Sequence, residues 1–148
     1  MSQQQHPPFT PAERLFRRLR SEWVFGGRVT ADAIDLQGTS VDRDHLSTAE
    51  EAFARRREGE TGLAAIEYQK AQQEFKHEDP KVAPFYTEVL PLPENGNPAH
   101  CEIRPRQRGK SYPVRKPGSS TLKARIKDAL ADNMEVVFAP PPPADDEF

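Results

Sequence analysis

The stretch from Ala83 to Ile103 constrains this chain more than any other. APFYTEVL alternates, with Phe85, Thr87 and Val89 on one side and Tyr86, Glu88 and Leu90 on the other. That is the pattern of a strand with one face toward a core. The turn-rich PLPENGNP follows, and AHCEI then alternates again. An antiparallel pair across an eight-residue connection is expected, with a longer loop than the tightest hairpins use. With helical patterns on either side, the chain reads as α+β: a small mostly antiparallel sheet with two to three helices, plus a C-terminal helix-strand appendage.

The first helical pattern starts at TPAE, residues 10 to 13, where Thr10 suits a cap, Pro11 the first turn and Glu13 a capping box. A helix is predicted to follow, with Leu15, Phe16, Leu19 and Trp23 on one face, ending at Phe25-Gly26-Gly27. RVTADAIDL reads as a short strand and SVDRDHL as a brief extended piece. STAE, residues 47 to 50, opens a second helix over about 48–58. After the turn EGETG, LAAIEYQKAQQEFKH reads as a strand leading into a short helix, with a continuous helix on the stripe of Ala64, Tyr68, Ala71 and Phe75 as the alternative. Ser119 or Ser120 caps TLKARIKDALADN, whose Leu122, Ile126, Ala129 and Leu130 form a stripe and whose Asn133 suits a left-handed terminus. MEVVFA reads as an edge strand. The resulting division is a flexible leader at 1–9, a core domain at 10–103, a basic connector without regular structure at 104–119, a helix-strand unit at 120–139 and a proline-rich acidic tail at 140–148.

A hydrophobic share of 35% beside 15 prolines fits a modest core with extended attachments. No apolar run approaches the roughly 18 residues of a membrane-spanning helix, and MSQQQHPPFT lacks the basic-then-apolar layout of a signal peptide. A single cysteine, Cys101, allows neither an internal disulfide nor a thiolate zinc site. A cytoplasmic protein with no membrane partner is expected.

The formal net charge of −2 conceals an asymmetry. Nine cations (Arg104, Arg106, Arg108, Lys110, Arg115, Lys116, Lys123, Arg125 and Lys127) occupy 104–127 without one Asp or Glu. Such a field suits an acidic protein surface or a phosphate backbone, and the plainer reading is a solvated, flexible linker. Tyr112 is a lone aromatic there, too little for recognition of a single strand by stacking.

Candidate chemistry is sparse. His100 and Glu102, two apart on a strand, share a face and could orient a water or a phosphorylated ligand, the imidazole serving as base. The simpler reading makes them the solvent side of a strand that buries Ala99, Cys101 and Ile103. Asp42, Asp44 and His45 lack the spacing of a calcium loop or a zinc helix, and no metal site is expected. An assembled site would join His100 and Glu102 to Asp42 and Arg43. No nucleophile motif, phosphate-cradling loop or dinucleotide fingerprint is present, so no cofactor is expected.

ERLFRRL, GGRVTADAIDL, SVDRDHLSTAEEAF and LPENGNPAHCEI resemble segments of a loosely defined group of small bacterial proteins, over about residues 13 to 103. The resemblance implies a bacterial origin and a domain ending near Ile103, and it carries no activity. The expected function is a non-catalytic accessory or adaptor subunit that binds an acidic protein partner through its basic C-terminal part. The alternatives are a small hydrolase or transferase acting on a nucleotide or phosphorylated ligand through His100 and Glu102, and a nucleic-acid-binding protein.

Overall fold

The two alternating segments pair as their periodicity requires. In a computed structural model describing residues 7–107 and 119–141, they are adjacent antiparallel strands with Val89 opposite Ile103 and Leu90 opposite Glu102. The elements run β1 (Arg14–Arg20), β2 (Val24–Phe25), β3 (Arg28–Val29), β4 (Thr39–Arg43), α1 (Ala49–Ala54), β5 (Glu60–Glu67), α2 (Tyr68–Ala71), β6 (Glu74–Phe75), β7 (Phe85–Pro91), β8 (His100–Gln107), α3 (Ser120–Asp132) and β9 (Glu135–Phe138). Seven strands form one sheet in the order β6-β7-β8-β4-β1-β5-β9, each neighbour antiparallel, and β2 and β3 form a separate hairpin. The fold is α+β.

Each sheet face has its own cover. On one, Leu15, Leu19, Val41, Ile66, Cys101 and Ile103 meet Leu122, Ile126 and Leu130 of α3 in the main core. On the other, α1 places Ala52 over Phe16, Leu63 and Ala65, and Phe53 packs edge-on against Phe138 at 5.3 Å. The helix-strand unit after the connector is thus built into the molecule: α3 covers the core and β9 closes one edge of the sheet.

The largest departure from the sequence reading is residues 10 to 23, expected as a helix and folded as β1 with a 3-10 turn, Ser21–Trp23. Glu13 does not cap anything. Its carboxylate receives Arg43 Nε and Nη2, both at 2.8 Å. Leu15 and Leu19 enter one core while Phe16 enters the other, so apolar residues covering two strand faces imitate a helical stripe. Phe25-Gly26-Gly27 forms the hairpin turn between β2 and β3, with φ of 61° and 79° at the glycines, the backbone a two-residue turn of this hand needs.

Smaller departures have equally local causes. The strand expected in RVTADAIDL is only Arg28–Val29, and a 3-10 turn, Ala31–Ala33, follows. The second helix is capped by Thr48 with Glu51, a capping box one residue later than the STAE reading, and ends at Ala54. The connector expected from Arg104 has regular structure as far as Gln107, because β8 continues. Pro105 is tolerated there because β4 pairs with β8 only up to Ile103, leaving that side of Pro105 without a strand to bond. Ser119 caps α3, accepting from the Leu122 N–H at 3.1 Å. Asn133 is not left-handed, with φ −93°, and its side-chain amide donates to the Ala129 carbonyl at 2.8 Å.

Residues 7–9, assigned to the flexible leader, are tied down, and residues 1–6 lie outside the described part. Arg43, with no exposed side-chain surface, donates to the Pro7 carbonyl at 2.7 Å and to the Pro8 carbonyl at 3.3 Å. Its guanidinium lies 4.0 Å from the Phe9 ring centroid, and Phe9 stacks on Tyr68 at 4.4 Å.

Arg43→Met is expected to cost about 3–5 kcal/mol in urea unfolding, because it strands the Glu13 charge inside the protein. It should also free residues 7–9 for proteolysis. Burial alone would raise the Glu13 carboxyl, but hydrogen bonds from Arg43 and the His45 N–H hold it below its ordinary 4.5. The stabilisation from this depressed carboxyl is complete above pH 4.5 and lost as pH falls through the lower folded value. Glu13→Gln should therefore flatten the acid limb of the stability profile.

Candidate functional site

The part of its own sheet face that α1 leaves uncovered is polar, and there β4 and β8 set Asp42 opposite His100 and Ser40 opposite Glu102. Asp42 is wholly buried and charged, and three groups meet it. Arg18 and Arg55 each donate to Oδ2 at 2.8 Å, and the Asn97 amide donates to Oδ1 at 2.9 Å. Asn97 belongs to ENGNP, where Glu94 and Asn97 bridge across a turn and Gly96 takes φ 82°. The loop signal in the sequence is thus pinned to a buried carboxylate of β4.

His100 is also buried, at 5% exposure, which corrects its expected solvent-facing position. Its Nδ1 lies 2.8 Å from the Leu92 carbonyl and its Nε2 3.3 Å from Ser40 Oγ. A carbonyl only accepts, so Nδ1 carries the proton and Nε2 presents its lone pair to the Ser40 hydroxyl. Glu94 Oε2 stands 3.7 Å from Nδ1. Glu102 is held by its neighbour Arg104, at 2.8 Å from Nε and 2.7 Å from Nη2, and it fills the space where a side chain at Gly38 would stand. His100, Ser40, Glu94 and Glu102 line one cavity of about 250 Å³, with Arg18 and Arg57 on its walls.

The assembled site expected from sequence therefore divides. His100 and Glu102 share this cavity, and Asp42 is bound up beside it. Arg43 faces the other side of the sheet with Glu13. Ser40 and Glu94 escaped the sequence reading because no local motif marks them: they are 60 and 6 residues from His100 and meet it only through strand pairing and the ENGNP turn.

A second concavity lies on the α3 side. Lys123 and Lys127, one helical turn apart, border a cleft of about 580 Å³ with Trp23, Asp32, Ile34, Asp35 and Leu36. Arg17, not singled out from sequence, lines this cleft and the smaller cavity alike. It sits where β1 and β4 part beyond Phe16. Its Nε and Nη2 donate to the Ala33 carbonyl at 3.0 and 2.8 Å, and its Nη1 to the Ser40 carbonyl at 3.2 Å. Burial pushes its guanidinium down to about 10, with Glu60 opposing, so it stays cationic at neutral pH. Among the described residues, neither Arg17, Lys123 nor Lys127 forms an ion pair with a carboxylate.

The described members of the nine-cation run divide between different partners. Arg104 pairs with Glu102 and Arg106 with Glu88, at 3.5 Å, while Arg125 donates to the Lys76 carbonyl at 2.9 Å. Arg108, Lys110, Arg115 and Lys116 lie outside the described residues. Among the described residues, no group of three or more His, Cys, Asp or Glu is placed to hold a metal ion, and no helix is long and apolar enough to cross a membrane.

Cys101 points into the main core, and burial pushes its thiol up to about 12. Its reaction with an aromatic disulfide reagent at pH 8 should be slower by about 100-fold or more in the native protein than in guanidinium. In comparisons with known proteins, no family model, no curated protein and no solved structure matches this chain.

Proposed function

We propose that the protein is an accessory or adaptor module that docks an acidic segment of a partner protein in the cleft of Arg17, Lys123 and Lys127. The observation carrying this reading is the convergence of three cations, none in an ion pair among the described residues, on one concavity with an aromatic and aliphatic wall. An unpaired cation at the floor of a cleft attracts an anion more strongly than one in open water, because water screens it less. Trp23, partly exposed with the buried Ile34 and Leu36 behind it, adds a surface for an apolar side chain beside the acidic one.

Charge arithmetic favours a protein segment over a nucleic acid. Asp32 and Asp35 stand on the same rim, so the cleft carries three positive and two negative side chains. A single carboxylate is drawn in, whereas a phosphate backbone meets both acids. The pairing of Arg104 and Arg106 with glutamates removes further positive field from the same reading.

Trp23 is the only tryptophan, so its fluorescence reports occupancy directly. Peptides alternating Glu with Leu should change this signal saturably, and Lys123→Glu with Lys127→Glu should weaken binding about tenfold or more. Lys81→Glu, a single charge reversal outside the cleft lining, should leave it unchanged. Binding preserved in the double variant would overturn the reading. Tighter binding of short DNA, with a steep fall between low and physiological salt, would replace it by the nucleic-acid alternative.

A further inference from the structure

The smaller cavity holds an arrangement that docking does not use. Ser40 and His100 stand on neighbouring strands with Oγ and Nε2 3.3 Å apart. The Leu92 carbonyl, 2.8 Å from Nδ1, holds the imidazole in the tautomer that leaves Nε2 free to take a proton. The Glu94 carboxylate, 3.7 Å from Nδ1, faces the positive charge that such a transfer creates. A hydroxyl, a base and a group orienting the base are the parts of an activated serine, which is recognised by geometry and role, whatever the residue order. The separation of 3.3 Å is at the long end for an O–H to N bond, as is common before substrate tightens the contact.

We infer that Ser40 and His100 act as nucleophile and general base in the hydrolysis of a small, polar carboxylic ester. Ser40 Oγ forms a bond to the carbonyl carbon while His100 Nε2 takes the hydroxyl proton. The carbon–oxygen bond to the alcohol breaks, and His100 returns that proton to the leaving alkoxide, giving a free alcohol and an acyl-Ser40 ester. A water then attacks the acyl carbon, giving its proton to His100, which passes it to Ser40 Oγ as the carboxylic acid departs. Arg57, on the cavity wall and in no carboxylate ion pair among the described residues, supplies positive charge for the oxyanion. A volume of about 250 Å³ with polar walls limits the acyl group to a few heavy atoms.

The test uses the full chain, a fluorophosphonate probe with peptide mapping, and p-nitrophenyl esters of short acids. The probe should label Ser40, with loss of fluoride, and esters should be hydrolysed with a burst of nitrophenol. Ser40→Ala should abolish both, and His100→Gln should slow both by about 100-fold or more. Absence of label on Ser40, or labelling unaffected in a folded His100→Gln protein, would overturn the inference, leaving the histidine as a buried side chain satisfied by its neighbours. Because His100 is buried and its replacement bears on folding as well as on chemistry, Ser40→Cys provides a second decision. Its thiol should react with iodoacetamide at pH 6.5 about tenfold faster than free cysteine, through proton transfer to the imidazole. A rate no faster than that of free cysteine counts against the base, and the buried Cys101 serves as the unreactive internal control.

Discussion

Asp42 and Arg43 are consecutive residues of a central strand, opposite in charge and both fully buried, and the molecule is arranged around that fact. Neighbouring residues of a strand point to opposite faces, so each charge must be met on its own side of the sheet. Removing two such groups from water is costly unless every lone pair and proton finds a partner. Arg43 draws in Glu13 and the Pro7 and Pro8 carbonyls, which fixes how the chain enters β1. Asp42 draws in Arg18 from β1, Arg55 from the end of α1 and Asn97 from the loop before β8.

The same pair also sets register. Sliding β4 by one residue would turn Arg43 toward Arg18 and Arg55 and Asp42 toward Glu13, placing like charges together in a dry interior. The hydrophobic residues alone discriminate less sharply, because β1 and β4 bury side chains on both faces. Buried charge here specifies an arrangement more than it adds net stability.

The two concavities follow from this frame. Where β1 and β4 separate beyond Phe16, Arg17 occupies the gap and bonds to carbonyls on either side, so its charge reaches both the α3 cleft and the cavity of Ser40 and His100. The cavity walls are partly the Asp42 network itself, since Arg18 serves both. A hydrogen-bonded wall keeps side chains in one geometry, which the proposed docking and the proposed nucleophile activation both require.

Local pattern determined much of this protein. The alternation of 83–90 and 99–103, the capped α3 and the edge strand after it are legible because each has its own period or terminal signals, whereas the strand that starts at Glu60 runs through residues read as a turn. The inward face of Ala99, Cys101 and Ile103 was legible too, and so was the sharing of one face by His100 and Glu102. Tertiary structure alone decided that TPAERLFRRL would be a strand, because Glu13 is claimed by an arginine 30 residues away and the apolar residues serve two cores. It alone decided that His100 would be buried, that Ser40 would stand at its Nε2 and that Arg17 would face two cavities. The physical reason is common to all three: a charge, a hydroxyl and an imidazole carry no period of their own, and their partners are chosen by strand pairing across long stretches of chain.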